Sequence, residues 1–353
     1  MIKKIHITII YIIAALMLLV PSVHGQQSQP FTQYLFSRFL LNPAACGADG
    51  YTSIGLTVKD QWTGFLSAPS NQILTAQVRL PREGIFGNRN SYYSGGISPE
   101  NVGLGVVLFN DMRGPIRTTG GNLTYAYHIE TETGQLSFGL TASLAQLYID
   151  RDKLTTELGY DRFIDGNKLS SFIPDASAGV HYTTRDYYAG FSASNMFQSF
   201  LTFGSRNSSD YRLERQYVFI GGYVFDINRE WSLVPGSQFK FNEHGAVQVD
   251  GNVMCYYHDQ FWGGFSYRSG GGGVVGGISM IFGARYEQYH FGYAFDYTLS
   301  NIQKYSLGSH EIMVSVAFGR DERFFRYKRR YEFQDSEQQY RRTWLKLRKI
   351  GTR

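Results

Sequence analysis

The chain has 353 residues, among them 39 Gly, 26 Tyr and 26 Phe but only 2 Cys, with 18% charged side chains and a formal charge of +5. This length allows one large or two ordinary domains, and so few cysteines exclude a disulfide-stapled mini-protein. An aromatic content of 16% excludes intrinsic disorder, and the mature chain lacks the run of about 20 apolar residues that a bundle of membrane helices needs.

Residues 1–25 read as a secretory signal peptide: Lys3 and Lys4 precede an apolar stretch from Ile5 to Val20, then a polar exit from Pro21 to Gly25. The mature chain is expected to start at Gln26 and, having no Cys there, to carry no lipid anchor. Residues 26–50 form an N-terminal periplasmic or plug-like segment, expected to fold inward or to line the periplasmic rim.

From Tyr51 onward the pattern has period two, with apolar and aromatic runs broken by Gly, Asn, Asp or Ser. It predicts fourteen strands, centred on 51–58, 71–80, 102–110, 118–128, 136–147, 173–183, 187–197, 215–226, 231–241, 246–257, 261–268, 273–283, 289–298 and 309–319. In 289–298, Tyr289, Phe291, Tyr293, Phe295 and Tyr297 share one face, and His290, Gly292, Ala294 and Asp296 the other. In 309–319, Ile312, Val314, Val316 and Phe318 oppose Glu311, Met313, Ser315 and Ala317. A soluble sandwich shows the same alternation. Strand lengths of roughly 9–11 residues, aromatic strand ends, a polar Gly-rich second face and the signal peptide favour an all-β, transmembrane antiparallel β-barrel over residues 51–319. Polar stretches at 81–101, 148–172 and 199–214 read as exposed loops, either recognition elements or plain connectors.

Charge is uneven. Residues 26–319 hold 20 basic and 24 acidic side chains, whereas 320–353 hold 12 basic and 5 acidic. The high overall charge is therefore a property of the tail, which argues against a nucleic-acid partner. In this basic aromatic tail, expected on the periplasmic side, Arg326, Lys328, Arg329, Arg330, Tyr331, Arg341, Arg342 and Trp344 are candidate partner-binding residues. Arg pairs carboxylates bidentately while the rings supply buried area; contact with anionic lipid headgroups is the competing use.

Several motifs in order resemble the PorP/SprF family of the Bacteroidetes type IX secretion system. They are Gln29-Pro-Phe-Thr-Gln-Tyr-Leu-Phe36, Leu41-Asn-Pro-Ala-Ala45 with Gly47, Asp60-Gln-Trp-Thr-Gly64 with Ala68-Pro69, Asn101-Val-Gly-Leu-Gly105 to Asn110-Asp111, Pro174-Asp-Ala-Ser-Ala-Gly179, and Gly308-Ser-His-Glu-Ile-Met313. The resemblance covers residues 29–319 and implies a non-enzymatic outer-membrane component of the secretion and gliding machinery. Such a barrel would bind and position a secreted adhesin or machine subunits, with a periplasmic ring lipoprotein or ring protein and a peptidoglycan-binding OmpA-like protein as partners. An even strand count is expected to bring both termini out on the periplasmic side. The family pattern ends near Phe318, so the tail is a departure from it.

Enzyme chemistry finds little support. Gly271-Gly-Gly-Val-Val-Gly276 fits a dinucleotide-binding spacing but leads into a strand pattern instead of a helix. His310-Glu311 lacks the second His of a zinc-protease motif, and there is no Gly-x-Ser-x-Gly elbow for a hydrolase. No cofactor or metal is expected. Cys46 and Cys255 are read as unpaired. The alternative function is an outer-membrane channel for small or hydrophobic solutes, with residues 26–50 as its plug.

Overall fold

A computed structural model describes residues 31–33, 36–65, 67–80, 101–150, 170–201, 211–269 and 276–318. The barrel strands are β1 Thr52–Asp60, β2 Ser70–Arg79, β3 Val102–Arg113, β4 Ile116–Glu130, β5 Gly134–Ile149, β6 Ser170–Thr184 and β7 Tyr187–Ser194. They continue as β8 Gln216–Tyr223, β9 Trp231–Asn242, β10 Val247–Tyr257, β11 Phe261–Arg268, β12 Gly277–Tyr286, β13 Tyr289–Thr298 and β14 Ser309–Phe318. Each strand pairs antiparallel with the next, and β1 pairs with β14 from Thr52↔Phe318 to Asp60↔His310. The barrel of fourteen strands is therefore closed and leaves no free edge in its wall.

Outside and inside are inverted relative to a soluble protein. Leu123, Leu140, Phe172, Phe265 and Ile312 are each more than half exposed, whereas Gln238, Gln248, Asp250, His128 and Glu311 are almost completely buried. Period two places these groups on opposite faces: Phe265 pairs with Met280 on the outer wall, while Asn252 pairs with Ser266 on the lumen side. A water-facing wall of this kind would expose one continuous apolar surface; hydrocarbon is the solvent that it fits. Aromatic rings collect outside the two strand ends. Trp231–Tyr257 (4.7 Å between centroids) and Tyr223–Phe225 (4.4 Å) mark one end, and Tyr217–Phe241 (5.0 Å) the other, which is the girdle pattern of membrane barrels.

An even strand count puts the start of β1 and the finish of β14 at one end, here called the terminal end. Five of its six connections, β4–β5, β6–β7, β8–β9, β10–β11 and β12–β13, are short, and the sixth, 80–101, is long; the opposite end carries the longer 61–69, 150–169, 195–215 and 299–308 connections. All of the Gly271–Gly276 motif except Gly276, most of the three polar loops and the whole basic tail lie outside the described residues.

Candidate functional site

The lumen is occupied by the chain's own N-terminal segment. The described residues 31–33 and 36–50 carry no strand and include two short turns: a 3-10 turn at Arg38–Leu40 and another at Pro43–Ala45. The second starts as its sequence dictates. The side chain of Asn42 caps it by accepting from Ala44 N (3.0 Å), and Pro43 sits in the first turn, where no N–H is needed.

Three anchors tie this segment to the lumen wall. At the first, the Glu311 carboxylate accepts the backbone N–H groups of Thr32 (2.8 Å) and Gln33 (2.9 Å), one on each oxygen. The Thr32 hydroxyl donates to Asp296 (2.8 Å) and accepts from Lys59 Nζ (3.1 Å). Lys59 itself bridges Asp296 (2.7 Å) and Glu311 (3.4 Å). All three charged side chains are at least nine-tenths buried, a setting in which each ion depends on its partners.

At the second anchor, Asn42 Nδ2 donates to the carbonyls of Val180 (2.9 Å) and Phe191 (3.3 Å), and Ser192 Oγ donates to Leu41 O (2.6 Å). The third holds the exit of the segment: His128 Nε2 lies 2.9 Å from Cys46 O, and Gly47 N donates to Gln77 Oε1 (3.0 Å). Because a carbonyl only accepts, His128 carries its proton on Nε2, and its Nδ1 accepts from Ser137 Oγ (2.8 Å). This His–Ser contact resembles a hydrolytic pair in composition only. Both side chains are fully buried and the imidazole is committed to the backbone.

Room for the segment comes from glycines in the wall. A Cβ at Gly139 would overlap the backbone of Pro43 and Ala44, one at Gly103 would overlap Cys46 O, and one at Gly179 would strike the Asn42 side chain. The lumen-side glycines of β3, β5 and β6 thus form the bed on which the turns lie. Cys46 is sealed there, and burial pushes its thiol up to about 12, while Cys255 sits on the outer wall opposite Leu233; both are free. A water-soluble maleimide is expected to leave folded protein unlabelled and to label both thiols after denaturation. Rapid labelling of Cys46 in the folded state would show that the bed is empty.

The direction of the segment follows from its contacts. Thr32 lies beside Lys59, Asp296 and Glu311, all within three residues of the strand ends opposite the terminal end. Tyr51 precedes Thr52 at the terminal end itself. The segment therefore runs down the lumen toward the terminal end before β1 turns back through the wall. Beside it, toward the terminal end, remains a cavity of about 260 Å³, lined by side chains of β1, β2, β6, β7 and β9–β14, among them Ser53, Thr183, Tyr188, Met254, Trp262 and Met313.

The residues proposed from sequence as partner-binding, Arg326, Lys328, Arg329, Arg330, Tyr331, Arg341, Arg342 and Trp344, lie outside the described residues. Sequence reading assigned Asp296 and Glu311 to the lumen face but did not find their partners Thr32 and Lys59; the available signal was a charge near the end of an otherwise aromatic or apolar strand. Among the described residues, no group of three or more His, Cys, Asp or Glu side chains is placed to hold a metal ion.

Comparison with known proteins adds the family. Among solved structures, the chain is similar to the Ralstonia pickettii toluene transporter TbuX (11% identity, TM-score 0.44, covering 80% of this chain and 92% of that one). It is also similar to a deletion mutant of the monoaromatic hydrocarbon channel TodX (10%, 0.46, 84% and 96%) and to Acinetobacter baumannii Omp33 (7%, 0.41, 76% and 98%). No curated protein matches the sequence. A family model for the type IX secretion system membrane protein PorP/SprF matches residues 23–316. With a closed outer-membrane-type barrel and this match across most of its length, the chain belongs to the PorP/SprF family of type IX secretion system membrane proteins.

Proposed function

We propose that this chain is a non-enzymatic docking barrel of the outer membrane, which binds and positions a secreted adhesin or other subunits of the secretion and gliding machine. The observation that carries this reading is the occupied lumen. Residues 31–50 are held by buried ion pairs and by glycines that leave the turns just enough space, which suits a rigid scaffold better than a conduit. In this reading the terminal end faces the periplasm, because short turns are periplasmic in such barrels and long loops extracellular. The basic tail then starts on the periplasmic side, where it docks on an acidic component such as the ring lipoprotein or the peptidoglycan-binding OmpA-like protein, and the surface loops meet the adhesin.

Pull-down from detergent-solubilised envelope tests the role. The full chain should retain machine components, and a chain truncated after Gly319 should insert normally yet lose a periplasmic partner. Equal recovery with both would remove the tail from the account, and no machine component with either would remove the docking role. Orientation is tested separately on intact cells with a membrane-impermeant maleimide. Tyr305→Cys, in the long 299–308 connection, should label, and Arg229→Cys, in the short β8–β9 turn, should not. The reverse pattern would invert the barrel.

A further inference from the structure

The cavity at the terminal end has one apolar wall. Among lining side chains that are otherwise mostly hydroxyl-bearing or charged, such as Ser53, Thr57, Thr75, Thr183 and Ser232, Met254 and Met313 stand with Trp262, Phe36 and Tyr256, backed by Ile281 and Ala294. The rings are close: Phe36 lies 5.0 Å and Tyr256 6.5 Å from Trp262 between centroids. Thioethers and aromatic faces form an adaptable apolar surface. A volume of about 260 Å³ exceeds the roughly 150 Å³ of an apolar protein cavity that accepts benzene.

The apolar wall carries an unsatisfied donor. Trp262 is only 6% exposed, it lines the cavity, and its indole Nε1 has no acceptor. The indole lies flat over Gly283, where a Cβ would collide with it, so the strand opposite is shaped to hold the ring in this position. Buried donors are normally paired, and leaving one unpaired is unfavourable. Most of the charges at the mouth are already engaged within the chain, although Arg185 also lines it. Arg38 stacks over the Tyr188 ring (4.3 Å), and Asp49, Asp226, Asp259 and Arg285 already have partners.

We propose that this chamber is a binding site for a small, neutral, largely apolar molecule that enters from the terminal end and presents one hydrogen-bond acceptor to Trp262 Nε1. It is a site in its own right. Binding there requires neither passage through the barrel nor the docking role proposed above.

Benzophenone is a suitable probe: it is neutral, has two rings and a single carbonyl acceptor, and on irradiation attaches to nearby C–H bonds, with a preference for Met. The full chain in lipid nanodiscs should give saturable adducts on Met254 and Met313. Trp262→Phe keeps the ring but removes the donor, and should weaken apparent affinity about tenfold, the equivalent of one hydrogen bond of about 1.4 kcal/mol. Ser315→Trp, which fills the chamber from β14, should abolish these adducts. Should either variant lose its heat-modifiable mobility, saturable labelling of the unaltered protein at Met254 and Met313 still decides the matter. Adducts confined to lipid-facing positions such as Met280, rising linearly with probe and unchanged in Trp262→Phe, would overturn the proposal.

Discussion

Replacing Lys59 with Met is expected to destabilise the folded barrel by about 3–5 kcal/mol, the usual cost of removing one partner from a buried ion cluster. Lys59 is 2% exposed and lies between Asp296 and Glu311. Without it, two carboxylates face each other in the lumen, left with the hydrogen bonds from Thr32, Gln33 and Ser279 and the more distant charge of Arg268. The unfolding midpoint in urea, read by the gel shift between folded and heat-denatured forms, measures this directly. Adding Asp296→Asn to Lys59→Met should recover a large part of the loss, because it removes the charge left without a partner. If Lys59→Met unfolds at the wild-type midpoint, the cluster is not what anchors the segment.

The second large effect is expected at Gly139. A valine there would drive its side chain into the backbone of Pro43 and Ala44, and neither backbone can yield without lifting the second anchor from Val180 and Phe191. Gly139→Val should still insert and form the barrel, but residues 31–50 should leave their bed and become cleavable by protease. Gly263→Ala is the matched control. Gly263 lies on the outer wall, where an added Cβ would meet only ordinary contacts, the nearest being Phe282 at 3.5 Å. Protection of residues 31–50 in Gly139→Val equal to that in the control would contradict the packing described above.

The wall of the barrel was legible because its signal is local. In β13, alternation from Tyr289 to Thr298 specifies which side chain meets lipid, and the strand has the predicted bounds. Strand ends were less legible where the ladder continues beyond hydrocarbon. The 118–128 and 136–147 segments extend to Ile116–Glu130 and Gly134–Ile149, over residues such as Arg117 and Gln135 that carry no oily face. Expected at 273–283, β12 covers Gly277–Tyr286 instead, since a run of glycines has no side chains with which to mark a face. The anchors of the segment were not legible at all. Thr32 meets Glu311 across 279 positions, and nothing in the local pattern of either residue names the other. Glycines of the bed posed the same difficulty: Gly103, Gly139 and Gly179 look like weak points in their strands until the turns at Arg38–Leu40 and Pro43–Ala45 are laid over them.

Conductance across a planar bilayer addresses the occupied lumen most directly. Wild-type protein should insert without adding a steady ionic current, while Gly139→Val, with residues 31–50 displaced, should open a measurable one. Steady wild-type conductance equal to that of Gly139→Val would mean that the segment does not fill the barrel, and would favour a channel over a docking scaffold.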